Sequence, residues 1–152
     1  MKTTGTSATR ANGLIGVRQP LIDGVEKVTG RARYTADLPA AGALVGAILR
    51  SPVAHGEIRR IGTARARALP GVRAVVTGED CDIAYGVIPV AQNEFPLARE
   101  RVRYRGEPVA AVAADDAATA RTALALIDLD IAPLPAYFDA AAARAADAMP
   151  LH

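Results

Sequence analysis

The sequence is poor in the residues that recognise nucleic acids. Its 152 residues include no Trp, and only 4% are aromatic, too few for a platform on which bases stack. Eighteen Lys and Arg against 16 Asp and Glu leave a net charge of only +2. Five arginines could meet an acidic partner surface, namely Arg50, Arg59, Arg60, Arg65 and Arg67. A charged face exposed to solvent explains them at least as well. We predict no nucleic-acid partner, because the basic residues are scattered rather than clustered.

Cysteine is nearly absent. Cys81 is the only one, so the chain cannot form an internal disulfide, and with His55 and His152 it cannot supply the ligand set of a structural zinc site. This composition favours a reducing compartment, and we predict a cytoplasmic location. Residues 1–13 are polar and lack the apolar stretch of a secretory signal. We expect a flexible lead-in there, and no membrane span, because every apolar run is too short to cross a bilayer.

Nucleophile and phosphate-loop motifs are missing as well. Ser7 and Ser51 are the only serines, and neither lies in the G-x-S-x-G pattern of serine hydrolases. Gly24 and Gly30 superficially resemble the ends of a phosphate loop. However, five residues separate them where the motif has four, and Arg31 follows where the motif needs Lys. We therefore predict a set of turns in this segment.

Apolar residues are plentiful, at 51%, which is enough for the core of one domain. Strand-like and helical patterns alternate irregularly, which favours an α+β fold with a mixed sheet and packed helices over a doubly wound parallel sheet. The predicted strands are 43–51, 57–61, 72–77, 102–106, 108–114 and 127–132, and the predicted helices are 64–69, 117–127 and 139–148. The run 43–51 is apolar and bounded by turn residues, so we expect it to be buried.

Residue spacing predicts how the helices begin and pack. Thr63 is placed to cap 64–69, and Asp115 or Asp116 is placed to cap 117–127. Ala120, Leu124 and Ile127 recur at helical spacing, so they should form the face that lies on a sheet. Beyond Ile127 the period changes to two. There Leu129 and Ile131 continue an apolar face, and Asp128 and Asp130 point the other way.

Few side chains are suited to chemistry. His55 could act as a general base, but no Cys, Ser or second His is placed to pair with it, so we interpret it as a hydrogen-bonded structural histidine at a strand end. Acidic neighbours of Cys81 oppose thiolate formation. Asp128 and Asp130 could suggest a pair of catalytic carboxylates, but the same alternation occurs in any strand with one solvent-exposed face. We predict no catalytic, cofactor-binding or metal-binding residue in this chain.

Four segments follow one another in the order and spacing of one family. They are DGVEKVTGRARYTAD, GALVGAILRSPVAHGEIRRI, ALPGVRAVVTGED and RVRYRGEPVAAVAADDAATARTALALIDLDIAPLPAYFD. In these segments the chain resembles the a/b hammerhead domain at the amino-terminal end of the molybdenum-binding large subunit of xanthine dehydrogenase/aldehyde oxidase-type hydroxylases. The resemblance covers residues 14–152 and implies one α+β hammerhead domain over that range.

The resemblance also implies that the chemistry belongs to other domains. The family reaction is oxidative hydroxylation of an aromatic heterocycle or an aldehyde, with water as the source of oxygen. Molybdopterin-molybdenum would be bound outside this chain, by domains of the same or a companion chain. Iron–sulfur clusters, and optionally FAD, would belong to partner domains or subunits. The isolated chain should be inactive.

One segment could still approach a substrate. Residues 78–98 have mixed polarity and no clean period, which predicts a long surface connection. Counting back from Leu97 and Ala98, the resemblance places two substrate-tunnel residues of the family at Val90 and Ala91. An ordinary surface loop remains the alternative there. For the whole chain, the alternative is a stand-alone interaction module of the same fold without redox activity.

Overall fold

The computed structural model describes residues 18–38 and 40–152. The chain divides into two units, Met1–Ala41 and Gly42–His152. The lead-in predicted for 1–13 lies outside the described residues. In the first unit the described part includes helix α1, Gly24–Val28, and one turn of 3-10 helix, Thr35–Asp37.

Helix α1 corrects the prediction of turns between Gly24 and Gly30. Gly30 has φ +68° and ends the helix, and the N–H of Arg31 donates to the Glu26 carbonyl at 2.8 Å. Glycine is the usual residue at this position because it adopts the left-handed conformation without strain. The Lys27 ammonium lies 2.6 Å from the Asp23 carboxylate, one helical turn earlier. The two glycines therefore flank a short helix, and they do not form a phosphate-binding loop.

The second unit is described throughout, and its regular elements follow in this order: β1 Val45–Arg50, β2 Gly56–Gly62, α2 Ala64–Arg67, β3 Val72–Thr77, β4 Arg101–Val102, β5 Pro108–Ala114, α3 Ala117–Leu126, β6 Asp128–Pro133 and α4 Ala140–Ala143. A turn of 3-10 helix, Gly78–Asp80, follows β3. Two predicted elements are shorter than expected. Strand β4 ends at Val102, because the Glu107 carboxylate accepts the Arg103 N–H and holds 103–107 in a turn. Only 140–143 of the predicted helix 139–148 is α-helical.

The strands form two antiparallel sheets of three strands each, in the orders β1-β5-β3 and β4-β2-β6. The α+β class is confirmed, but within the described residues two antiparallel sheets replace the one mixed sheet that the sequence predicted. The reason lies in the connections. Helix α2 joins β2 to β3 and helix α3 joins β5 to β6, so each helix leads from one sheet to the other. A parallel pair would need a crossover within one sheet.

Strand β1 lies at an edge of its sheet, which corrects the prediction that this run is buried. Ala47 and Leu49 pack toward the core, whereas Val45 and Ile48 are 36% and 46% exposed. Because the helices cover only one face of the sheet, Ile48 stays open on the other face, and Val45 is exposed at the beginning of this edge strand.

Small side chains form the contact between α3 and the β1-β5-β3 sheet. Ala120 and Ala123 on α3 are at most 1% exposed, and so are Ala110 and Ala114 on β5. Ala120 and Ile127 are buried as the sequence predicted. Leu124 is only partly buried, and Ala123 takes the central position that was expected for it. Alanine on both sides allows helix and sheet to approach closely.

A second cluster of buried side chains packs against the β4-β2-β6 sheet. Its members confirm the alternation that was predicted for β6. Val102 and Val109 are fully buried, and Ile58, Leu129 and Ile131 pack against them. On the outer side of β6, the Asp128 carboxylate pairs with the Arg60 guanidinium. In the part of the chain that the structure describes, we find no helix with the length and apolar character of a bilayer span.

Of the two predicted caps, one is present. Thr63 makes no capping hydrogen bond to the backbone, and its hydroxyl instead accepts from Arg67 Nε at 3.1 Å. Asp116, rather than Asp115, caps α3: its carboxylate accepts the Thr119 N–H and the Thr119 hydroxyl, both at 2.8 Å. These hydrogen bonds lower the pKa of Asp116, because they stabilise the ionised form.

We expect Asp116→Ala to lower the melting temperature of the chain by roughly 2–4 °C at neutral pH. The cap acts as a carboxylate, so its contribution is complete above the pKa of unfolded aspartic acid, about 3.9. It is lost as the pH falls through the lower pKa of the folded state. Thermal unfolding at pH 7 and at pH 2 measures this. An equal difference between the parent and the variant at both pH values would contradict the role of the charged cap.

Candidate functional site

His55 lies immediately before β2 and is 2% exposed. Its Nδ1 is 2.6 Å from the Pro135 carbonyl oxygen, and its own carbonyl accepts the Leu134 N–H. Because a carbonyl can only accept, Nδ1 must donate this hydrogen bond. Nε2 is buried and has no hydrogen-bond partner among residues 18–38 and 40–152. The contacts made by His55 tie the start of β2 to the segment after β6, as expected for a structural histidine.

The other chemically capable side chains do not gather into a site. Cys81 is free and partly exposed at the start of the long connection, and Asp128 and Asp130 lie on β6 with Asp128 paired to Arg60. Among residues 18–38 and 40–152, no group of three or more His, Cys, Asp or Glu side chains is arranged to hold a metal ion. The described residues therefore offer no set of protein ligands for an iron–sulfur cluster.

The connection from 78 to 98 is closed at its base. Gly78 and Ala98 meet there so closely that a Cβ on Gly78 would lie 2.5 Å from the Ala98 carbonyl oxygen. Leu97 and Ala98 are buried, and the Ala98 N–H donates to the Pro108 carbonyl at 2.8 Å. The predicted surface connection is thus confirmed as a loop whose two ends touch, one directly after β3 and the other hydrogen-bonded to β5.

The loop is also closed halfway along. Tyr85 and Glu94 form an antiparallel bridge with hydrogen bonds of 2.9 and 3.0 Å. Beyond the bridge, Gly86 packs against the backbone of Ala91 and Gln92. The N–H of Ala91 donates to the Ile88 carbonyl at 2.9 Å, which makes a turn at the tip. We call residues 85–94 the hairpin loop.

Val90 and Ala91, the two residues singled out from the sequence, lie together at this tip. Val90 is 93% exposed and projects from the turn. Ala91 lines an open cleft of about 440 Å³, whose other walls are Val87, Ile88, Asn93, Glu94 and His152. The Asn93 side chain hydrogen-bonds His152 Nδ1 at 3.1 Å. A lining that contains both apolar and polar side chains would suit a small, partly polar organic molecule.

A larger basic cleft lies beside the base of the loop, and the sequence analysis did not single it out. It measures about 640 Å³ and is lined by Phe95, Arg99, Glu100, Arg101, Arg103 and residues 149–152. The Arg99 guanidinium lies 5.3 Å from the centre of the Phe95 ring, and Arg103 Nε donates to the Leu151 carbonyl at 3.0 Å. Alternation around the buried Val102 could have indicated part of it, since Arg101 and Arg103 flank that residue in the sequence and both line the cleft.

Comparison with known proteins gives a consistent result. Residues 29–135 match the family model described as the aldehyde oxidase and xanthine dehydrogenase a/b hammerhead domain. The chain is 39% identical over 141 residues to the xanthine dehydrogenase molybdenum-binding subunit of Escherichia coli O157:H7, covering 86% of this chain and 19% of that protein. It is 34% identical over 148 residues to the carbon monoxide dehydrogenase large chain of Afipia carboxidovorans, covering 94% of this chain and 18% of that one.

A solved structure shows the same fold. The aldehyde oxidoreductase from Desulfovibrio gigas superposes with a TM-score of 0.76 at 34% identity, over 88% of this chain and 16% of that chain. The chain thus spans less than a fifth of the length of the relatives that it matches.

Proposed function

Because the chain belongs to the aldehyde oxidase and xanthine dehydrogenase a/b hammerhead family, we propose that it is the hammerhead domain of a molybdenum-dependent hydroxylase and forms part of its substrate channel. The reaction would be oxidative hydroxylation of an aromatic heterocycle or an aldehyde, with oxygen taken from water. This chain would supply shape, and other domains would supply the chemistry. The proposed domain covers 14–152, and the cytoplasmic location remains a prediction from the single cysteine.

One observation supports a role in the channel. Ala91 lines a cleft at the tip of a loop that is closed both at its base and at its middle. A loop anchored in this way can hold a wall residue at a fixed distance from a bound molecule, which is what selection by shape requires. Val90, at the exposed end of the turn, is placed to continue that wall into a neighbouring domain.

The cofactors and partners follow from the same proposal. Relatives of this chain include a xanthine dehydrogenase molybdenum-binding subunit, so we propose that molybdopterin-molybdenum is bound by domains outside this chain. An iron–sulfur subunit, with an optional FAD subunit, would carry the electrons away. The alternative, a stand-alone interaction module without redox activity, is not favoured, because the relatives that match the chain are oxidoreductase subunits.

We expect the purified 152-residue chain to contain no stoichiometric molybdenum or iron and to be inactive, whereas the assembled protein that includes it should contain both metals and oxidise its substrate. Elemental analysis by mass spectrometry measures the metals, and labelled water tests the source of oxygen. Label should enter the product once per turnover. One molybdenum or iron per isolated chain would contradict the assignment of chemistry to other domains. Inactive, metal-free assemblies would instead favour the interaction module.

A further inference from the structure

Gly86 lies at the point where the two sides of the hairpin loop come closest. It follows Tyr85 of the bridge and faces Ala91 and Gln92 on the other side. An ideal Cβ on Gly86 would lie 2.9 Å from Gln92 Cα, and closer still to the Ala91 carbonyl oxygen. Both neighbours are backbone, so neither can swing aside as the end of a flexible side chain could.

The requirement at Gly86 is for space, not for an unusual backbone conformation. Four glycines of the described residues have positive φ, and Gly86 is not among them: Gly30, Gly42, Gly71 and Gly106. An alanine at position 86 would therefore meet no penalty from a positive φ, but it would not fit its surroundings. Any side chain there must push the Ala91–Gln92 backbone away.

Few other contacts hold Ala91 in place. The tip of the loop is open to solvent, with Val87 98% exposed and Ile88 60% exposed. What fixes Ala91 is its own turn to Ile88, the Tyr85–Glu94 bridge and the close approach of Gly86. A displacement at Gly86 would therefore be transmitted to Ala91, since no buried side chain at the tip opposes it.

We propose that Gly86 is a positioning residue for substrate selection: by lacking a side chain it sets how far Ala91 stands from the cleft. The inference rests on the proposed function, since it assigns a cause to the position of a channel wall. Gly86 itself touches no substrate. Its effect should appear in the discrimination between substrates of different size, and the turnover of small ones should be spared.

The test is Gly86→Ala in the assembled enzyme, measured as the ratio of kcat/KM between one large and one small substrate. We expect the ratio to change on the order of tenfold, because a displacement of about 1 Å at a positioning contact is enough for such an effect. The kcat for the small substrate should stay within about twofold. A crystal structure of the variant should show Ala91 displaced and the two sheets unmoved.

Two further variants control the experiment. Gly46→Ala adds the same methyl group where nothing lies within 4 Å, so it should leave the ratio unchanged. Tyr85→Pro removes the N–H that donates to the Glu94 carbonyl and loosens the same closure at a residue that does not line the cleft, so it should also change the ratio. This variant tests the proposal without adding bulk at position 86.

The outcomes separate the two proposals. A third variant, Ala91→Phe, adds bulk to the cleft wall itself. If Ala91→Phe changes the ratio but Gly86→Ala and Tyr85→Pro do not, the positioning role is wrong and the channel assignment stands. If none of the three changes it, the channel assignment itself is wrong. If Gly86→Ala lowers kcat equally for all substrates, Gly86 is merely structural and the inference is overturned.

Discussion

Replacing Ala91 by phenylalanine should change the ratio of kcat/KM between a large and a small substrate roughly 10- to 200-fold in the assembled enzyme. Ala91 lines the cleft of about 440 Å³, so a benzyl group there occupies space that a large substrate needs. A small substrate would still fit, and the metal chemistry would be intact because we propose that other domains supply it. Steady-state kinetics with one substrate of each size measures the effect.

The control for Ala91→Phe is Ala84→Phe. Ala84 is an exposed alanine of the same 78–98 connection but lies outside the bridge, away from the cleft. The Ala84→Phe variant should leave the ratio of kcat/KM at the parent value. His55→Gln should also spare turnover once the protein is assembled, although it can lower stability through the contact with Pro135. If Ala91→Phe left the ratio of kcat/KM unchanged, the channel assignment would be wrong and 78–98 would be an ordinary surface loop.

Replacing Ala123 by leucine should destabilise the chain by about 3 kcal/mol, the upper end of the range for overpacked cores. Ala123 is fully buried where α3 meets the β1-β5-β3 sheet, among other alanines. Three added carbon atoms must either force the helix off the sheet or adopt a strained rotamer, and lifting the helix separates the neighbouring alanines as well. Urea unfolding of the purified chain gives the difference in free energy.

Variants at two other positions on α3 test whether the destabilisation depends on the buried position of Ala123. Ala125→Leu adds the same atoms on the exposed side of the helix and should stay within about 0.5 kcal/mol of the parent. Leu124→Ala should destabilise by about 1–2 kcal/mol, less than the 2–5 kcal/mol of a fully buried leucine, because Leu124 is only partly buried. If Leu124→Ala destabilised more than Ala123→Leu, the orientation described for the helix would be wrong.

The local elements could be predicted from the sequence because their signals are local. Strands β3 and β5 have the bounds that their β-branched and apolar runs predicted, and α3 begins after one of the two predicted caps. The partition into two sheets could not be predicted in this way. Pairing joins residues far apart in sequence, and periodicity does not say which strand becomes a neighbour. The edge position of β1 was missed for the same reason.

The candidate site, like the fold, could be predicted only where its signals are local in the sequence. Composition and the lack of a clean period predicted the 78–98 connection, but they gave no reason to choose any residue in it. Val90 and Ala91 came only from the family resemblance. Gly86 was missed because its importance depends on the path of the backbone five residues later, which brings Ala91 and Gln92 against it. Nothing in the sequence around Gly86 signals that approach.

The central place of β5 also determines when this chain can fold during synthesis. Both neighbours of β5, the strands β1 and β3, leave the ribosome first, yet neither has a partner until residues 108–114 have been made. The second sheet is completed later still: β2 can pair with the short strand β4 once residue 102 has been made, but its longer partner β6 comes only at 128–133. Until then the nascent chain exposes strands with unpaired edges, a state prone to aggregation. Truncations that end before residue 108 should therefore accumulate as insoluble protein, whereas the full 152 residues should not.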